Sequence, residues 1–206
     1  MFTLQSLFNK ALVSLMLALA NAAAVAGPTY HVSVDTAAFA GNGSGHFDFT
    51  LAGVVPGAQT IATLSNFSGA FGAETDRSGA VSGALPGLVS LTNTDSLNYL
   101  TQAAVFGGIF GFDISFSGDY DTIGGANGAT FSLSLFNQAL DAYLAMDFVS
   151  FSIVPAFGGA PALVDVAADS ALATVAAVAA VPEPSELLLM LTGLALMGLI
   201  AQRRMR

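Results

Sequence analysis

Few residues of this sequence could perform acid–base, nucleophilic or metal chemistry. Cysteine is absent, and the only histidines are His31 and His46. Each occupies a polar position in an alternating stretch, where we expect a solvated side chain, and the two could share a metal ion only on neighbouring strands. No serine has glycine at both the −2 and +2 positions, so the nucleophile elbow of α/β-hydrolases is absent. We therefore predict that the protein is not an enzyme, has no catalytic residues and needs no cofactor.

Asp119 and Asp121 are the best local candidates for a metal site. Their spacing and the position of Gly124 match the start of a calcium-binding loop. However, Ile123 replaces the third ligand, and no glutamate closes the loop. We therefore treat Asp119 and Asp121 as a weak calcium candidate and prefer a plain hairpin connection between two strands.

The other carboxylates give little support for glycoside hydrolysis, which uses two carboxylates flanking the sugar bond. Aspartates are numerous, but Glu74 is the only glutamate between residues 27 and 180, and tryptophan is absent. Glu74 and Asp76 stand beside Arg77 in a segment that we expect to be a solvated loop, where ion pairs contribute little stability.

Alternating apolar residues predict the β-strands that must position these side chains. Weaker strands are predicted over residues 58–67, 79–85 and 102–105, and turns rich in glycine, proline and asparagine separate the strands. This pattern predicts an all-β antiparallel β-sandwich, jelly-roll-like or similar, over residues 27–180. The clearest apolar faces are Tyr30, Val32 and Val34; Phe47, Phe49 and Leu51; Phe110, Phe112, Ile114 and Phe116; Phe131, Leu133 and Leu135; and Val149, Phe151 and Ile153.

The end of the predicted sandwich, residues 163–180, allows more than one interpretation. Its many alanines suit a helix or a low-complexity stalk, whereas its valines, placed on both sides of Asp169 and Ser170, suit a last β-hairpin. We favour a hairpin that leads into a short linker.

Charge excludes one class of function. Hydrophobic residues make up 54% of the 206 residues and charged residues only 9%. Between residues 27 and 180, twelve acids and the single base Arg77 give a net charge of −11. Because affinity for nucleic acid depends on basic residues that displace counterions, nucleic-acid binding is excluded.

Residues 1–26 have the features of a signal peptide. The polar start holds Lys10, and the apolar run 11–20 has the length of a signal-peptide core. Ala24 and Ala26 supply the small residues that signal peptidase requires, which predicts an N-terminal signal helix and cleavage after Ala26. The alternative is a buried N-terminal helix of the domain.

A transmembrane helix is predicted over residues 187–201, which contain no charge. Arg203, Arg204 and Arg206 follow at once, and basic residues remain on the cytoplasmic side of a membrane. Together with the signal peptide they predict that the body lies outside and the tail inside. The alternative is a buried C-terminal helix.

Pro182, Glu183 and Pro184 stand directly before this apolar run, in a segment that cannot be a helix interior or a central strand. The order of Pro-Glu-Pro, apolar helix and arginine-rich end over residues 181–206 resembles the PEP-CTERM sorting signal of Gram-negative bacteria. The resemblance implies that an exosortase, a membrane-embedded cysteine protease, recognises Pro182, Glu183 and Pro184 and processes the chain beside them. A plain single-span anchor with a proline-rich stalk is the alternative.

A second resemblance is carried by five segments of the body: Tyr30–Thr36, Phe47–Phe49, Ser65–Gly69, Val81–Gly87 and Phe116–Gly118. Together they resemble an uncharacterised PEP-CTERM subfamily, and this resemblance implies no activity. The resemblance implies an exported, non-enzymatic surface or extracellular-matrix protein. It would pass through an inner-membrane intermediate to the cell surface or the medium, with exopolysaccharide as a candidate partner. Alternatives are a secreted carbohydrate- or calcium-binding module, or a plain membrane-anchored surface protein.

Overall fold

A computed structural model describes residues 27–55, 57–123 and 127–178, and within these residues the chain forms twelve strands and one 3-10 helix, Ala37–Asn42. The all-β expectation is confirmed. The strands are β1 (Thr29–Asp35), β2 (Ser44–Gly53), β3 (Thr60–Ser68), β4 (Phe71–Ser78), β5 (Val81–Gly83), β6 (Val89–Thr92), β7 (Leu97–Val105), β8 (Ile109–Gly118), β9 (Ala129–Asn137), β10 (Tyr143–Val154), β11 (Leu163–Ala168) and β12 (Ala173–Val178).

The strands form two antiparallel sheets of six strands each, consistent with a β-sandwich. Sheet A has the order β12-β1-β8-β3-β6-β5, and sheet B has the order β11-β10-β9-β2-β7-β4. All five clear alternating runs lie in strands: β1 and β8 of sheet A, and β2, β9 and β10 of sheet B.

Phenylalanine side chains fill the space between the two sheets. Phe47 and Phe49 of β2 point inward and meet Phe110 and Phe112 of β8, with ring centroids 4.8 Å apart for Phe47 and Phe110 and 5.4 Å for Phe49 and Phe112. Their rings are tilted or perpendicular, the arrangement that the aromatic quadrupole favours. All four are essentially buried. The period of two therefore assigns one face of each strand to the core and leaves the other face for polar residues.

The last two strands differ from the expected hairpin. β11 and β12 are strands, as predicted, but β11 pairs with β10 in sheet B and β12 pairs with β1 in sheet A. Each strand extends the open edge of a different sheet, and the turn after Asp169 takes the chain between them. The two separate pairings join six residue pairs each, whereas a hairpin of two six-residue strands would join at most about six in all, so more backbone groups are satisfied.

Glu74, Asp76 and Arg77 belong to strand β4, so the expectation of a loop is wrong, although Glu74 and Asp76 are exposed to solvent as expected. β4 pairs with β7 through two register shifts, which destroy the alternation that would have revealed a strand. The Arg77 guanidinium reaches the Gly83 carbonyl oxygen at 2.9 Å, so it connects the β4 edge of sheet B to β5 of sheet A.

Candidate functional site

The outer face of sheet B contains a groove with a volume of about 510 Å³. Strands β2, β4, β7, β9 and β10 contribute to it, with the turn between β9 and β10 at one side. The lining residues are Asp48, Thr50, Asp76, Leu97, Tyr99, Thr101, Ser132, Ser134, Phe136, Leu140, Tyr143 and Asp147.

Strand alternation explains why these residues face outward. In β2, Phe47 and Phe49 enter the core, so Asp48 and Thr50 must point to the opposite face. The same alternation in β9 places Ser132 on the outer face. The outward-facing residues between the apolar core positions are therefore the ones that line the groove.

Carboxylates and hydroxyls alternate across the floor of the groove. Asp48 lies opposite Thr101 on one neighbouring strand and Ser134 on the other. Thr101 lies opposite Asp76 of β4, and Ser134 contacts Asp147 of β10. Carboxylates therefore recur on every second strand, which corresponds to about 10 Å at the usual spacing between strands.

Hydrogen bonds hold these carboxylates in place. Asp48 accepts from the Thr101 hydroxyl at 2.7 Å and from the Thr50 hydroxyl at 2.9 Å. The Tyr99 hydroxyl donates to Asp76 at 3.0 Å. At the other side, the Ser134 hydroxyl accepts from the Asp147 backbone amide at 2.9 Å and donates to the Asp147 carboxylate at 3.4 Å. The polar groups of the groove are thus pre-positioned before any ligand arrives.

The groove has a negative field. Burial raises the pKa of Asp48, hydrogen bonds from Thr101 and Thr50 oppose this, and the charges of Asp76 and Asp147 raise it further. The hydrogen bond to Asp76 and its charge also raise the pKa of Tyr99. An anionic ligand would therefore meet repulsion here, and a neutral or cationic ligand would not.

An aromatic pair borders the groove. The rings of Phe136 and Tyr143 lie 4.1 Å apart between centroids at 32°, and Tyr143 is 52% exposed. A tyrosine that rests on a second ring and faces solvent presents a flat apolar surface with a polar tip. It is suited to pack against the face of a ring-shaped ligand.

Two of the three described non-glycine residues with a positive φ line the groove. Leu140 has φ = 57° and Asp147 has φ = 46°, and β10 changes register between Tyr143 and Val149. Left-handed backbone is unfavourable for residues with a Cβ, and such strain concentrates at functional sites. The backbone irregularity therefore points to the same groove as its side chains do.

The structure separates the two histidines. They stand on β1 of sheet A and β2 of sheet B, so they cannot share a metal ion. His31 contacts the Asp113 carboxylate through Nδ1 at 2.6 Å, and Asn66 donates to the other oxygen at 2.7 Å. Burial opposes ionisation of Asp113, but these two partners outweigh it and lower its pKa.

His46 is not the solvated side chain that its position predicts. It is 8% exposed, and its Nδ1 lies 3.3 Å from the Asn137 carbonyl oxygen. Its cross-strand neighbours are Ala103 of β7 and Phe136 of β9, and an outward position in a central strand does not imply solvation.

One of the two calcium candidates, Asp119, has a structural partner. Asp119 accepts a hydrogen bond from the Gln59 amide at 2.5 Å, which ties the loop after β8 to the start of β3. Asp121 is exposed. Among the described residues, no group of three or more histidine or acidic side chains is close enough together to hold a metal ion.

The sorting residues Ala24, Ala26, Pro182, Glu183, Pro184, Arg203, Arg204 and Arg206, with the predicted helices at both termini, lie outside the described residues. Within the part of the chain that is described, no helix is long and apolar enough to cross a membrane. Comparison with known proteins finds no family model, curated protein or solved structure that matches the chain.

Sequence reasoning missed the groove. Its three aspartates, Asp48, Asp76 and Asp147, are far apart in the sequence and follow no motif spacing. The available signal is the composition of the outward positions, where aspartate and hydroxyl residues replace the lysines and glutamates of an ordinary solvated face. Only the order of the strands in sheet B shows that these positions are neighbours.

Proposed function

We propose that the body of this protein is a non-enzymatic binding module, and that the groove on the outer face of sheet B holds a carbohydrate chain. The observation that supports this most strongly is the alternating row of carboxylates and hydroxyls, held by hydrogen bonds beside an exposed aromatic pair. A sugar ring offers hydroxyls that both donate and accept, and an apolar face that packs on an aromatic ring.

The negative field narrows the carbohydrate class. Carboxylates at Asp48, Asp76 and Asp147 can accept hydrogen bonds from sugar hydroxyls, and charge makes those bonds stronger. They repel uronic acids and sulfated sugars and attract amino sugars. The proposed ligand is therefore a neutral or amine-bearing polysaccharide.

Calorimetric titration tests the proposal with three probes of similar length: an oligomer of glucosamine, an oligomer of glucose and an oligomer of galacturonic acid. We expect binding of the first two and no binding of the third. Asp48→Asn should weaken binding about 10-fold or more, since one hydrogen bond to a charged group is worth roughly 1.5–3 kcal/mol. Tyr143→Ala should also weaken binding, because it removes the exposed aromatic surface against which a sugar ring would pack.

Asp165→Asn is the matched control, because Asp165 is an exposed aspartate of β11 outside the groove. It should bind as the unchanged protein does. Equal losses in Asp165→Asn and Asp48→Asn would show a non-specific charge effect and contradict the groove. Tight binding of the galacturonic acid oligomer would contradict the proposed ligand class.

We also propose that the chain is exported and sorted through its termini. The support lies in the sequence: a signal peptide with Ala24 and Ala26 before its end, and a Pro182–Pro184 motif before an apolar run that ends in arginines. In this proposal signal peptidase removes residues 1–26, the run 187–201 holds an inner-membrane intermediate, and an exosortase processes the chain near Glu183. The protein then remains at the cell surface or enters an exopolysaccharide matrix.

The intact mass of the protein from its native host tests the sorting proposal. We expect loss of residues 1–26 and of the residues beyond the Pro182–Pro184 region. A mass that extends to Arg206 would contradict exosortase processing and leave a plain membrane anchor. Neither result depends on the groove, so sorting and carbohydrate binding are tested separately.

A further inference from the structure

One end of the sandwich, here called the foot, brings together both ends of the body and three loops. β1 begins at Thr29 and β12 ends at Val178, and these two residues are cross-strand partners. The loops that follow β2, β8 and β10 lie at the same end, because Ala129 pairs with both Gly53 and Ile153, and Thr60 pairs with Gly118.

Backbone hydrogen bonds join the three loops of the foot into one surface. The Ala58 amide donates to the Asn127 carbonyl at 3.3 Å, which links the loop after β2 to the loop after β8. The Ala156 amide donates to the Tyr120 carbonyl at 3.0 Å, which links the loop after β10 to the loop after β8. The loops are therefore neighbours rather than independent projections.

Each loop of the foot exposes a large apolar side chain. Phe157 is 71% exposed and stands before Gly158 and Gly159, at the tip of the loop after β10. Val54 and Val55 are more than half exposed in the loop after β2. Ile123 is exposed in the loop after β8, and Leu163 at the start of β11 adds to the same surface.

The chain itself indicates what this surface meets. It leaves the body at Val178, and only eight residues, 179–186, separate that point from the uncharged run 187–201. Eight extended residues span at most about 29 Å. If that run is in a bilayer, the foot is held close to the membrane surface, and tethering raises its effective concentration there.

We propose that the foot docks on the lipid surface of the membrane, with Phe157, Val54 and Val55 inserted at the level of the headgroups. This inference rests on the proposed membrane intermediate. Apolar side chains at a membrane surface bury their apolar area between the headgroups and the acyl chains. Because a short tether already holds the foot near the membrane, burial of a small apolar area is enough to keep it docked. Asp121 of the neighbouring loop would repel anionic lipid, so the partner is a zwitterionic surface.

The absence of tryptophan from the chain permits a direct test. Phe157→Trp in the full chain creates a single fluorescent reporter at the foot. Ile109→Trp is the matched control, because Ile109 is 68% exposed and stands at the opposite end, paired with Asp35. Both variants are mixed with phosphatidylcholine vesicles, with and without doxyl-labelled lipid.

We expect both variants to sediment with the vesicles. Emission of Phe157→Trp should shift to the blue and be quenched by doxyl lipid, and emission of Ile109→Trp should do neither. Adding Val54→Asp and Val55→Asp to Phe157→Trp should reduce the quenching.

Three results would overturn the proposal. Sedimentation without quenching of Phe157→Trp would reject docking and leave the anchor proposal standing. A blue shift without quenching would place the residue against protein, either a second copy or the terminal segment of this chain. A chain that does not sediment with vesicles would reject the anchor and the docking together.

Discussion

Asn98 allows a sharp test of how the fold is held together. Its side chain is completely buried at the start of β7. Its amide nitrogen donates to the carbonyl oxygens of Leu51 at 3.2 Å and Asp95 at 2.9 Å, and its oxygen accepts from the Ala80 amide at 2.7 Å. One side chain thus satisfies backbone groups in β2, the turn before β7 and the turn after β4.

Asn98→Ala removes all three hydrogen bonds, including the buried one to the Leu51 carbonyl, and leaves the half-buried Ala80 amide without this partner. At about 1 kcal/mol for each hydrogen bond, and more for a buried group left unsatisfied, the free energy of unfolding should fall by about 3–4 kcal/mol. With a urea m-value of about 2 kcal/mol/M, the unfolding midpoint should fall by about 1.5–2 M.

Asn98→Asp keeps the shape of the side chain but replaces the amide donor by a carboxylate oxygen, so it tests the hydrogen bonds alone. The new carboxylate still accepts from the Ala80 amide, but its second oxygen faces the carbonyls of Leu51 and Asp95, to which it can donate only when protonated. Its pKa in the folded state must therefore be raised. Its destabilising effect should be small at low pH and should grow as the pH rises through that pKa.

Urea unfolding followed by circular dichroism at pH 4 and pH 7 measures both variants. Asn42→Ala serves as a control, because Asn42 is exposed in the 3-10 helix, and it should change stability by less than about 0.5 kcal/mol. An Asn98→Ala variant within 1 kcal/mol of the unchanged protein, or an Asn98→Asp variant whose stability is independent of pH, would refute this reasoning.

Three more predictions concern the core and the groove. Phe47→Ala should lower the free energy of unfolding by about 3–5 kcal/mol, measured in urea. Phe157→Ala, at an exposed loop tip, should change it by less than about 0.5 kcal/mol. Losses of similar size in the two variants would contradict the assigned core. Asp48→Asn should be more stable than the unchanged protein at neutral pH, because burial penalises only the ionised form of Asp48. The difference in stability should shrink as the pH falls through the raised pKa of Asp48. Unfolding curves at several pH values measure this difference. Asp147→Gly should retain stability to within about 1 kcal/mol, because it relieves a positive φ, yet weaken carbohydrate binding in the titration; undiminished binding would exclude Asp147 from the site.

Alternation predicts the body well because burial imposes it. Phe110 and Phe112 enter the core, so Gly111 between them must face outward, and every clear run of this kind is a strand. Alternation fails where register shifts interrupt pairing, as at Glu74 in β4. Alternation also does not show which strand pairs with which. For this reason the hairpin predicted for β11 and β12 is wrong, and the two strands lie in different sheets.

The groove depends on the information that alternation lacks. The outward direction of Asp48 follows from its apolar neighbours, but its proximity to Thr101 and Ser134 follows from the order of β7, β2 and β9 in sheet B. The positive φ of Asp147 arises within an irregular stretch of β10, which its residue types do not reveal. Local pattern thus predicts the face on which a residue lies, and topology determines which residues share a site.

Nuclear magnetic resonance titration of the ¹⁵N-labelled protein with a glucosamine oligomer tests the proposed groove most directly. Backbone amide shifts should change around Asp48, Thr101, Ser134 and Tyr143, on adjacent strands of sheet B, and amides around His31 and Asp113 on sheet A should remain unchanged. Changes confined to sheet A, or no changes at millimolar oligomer, would contradict carbohydrate binding in the groove.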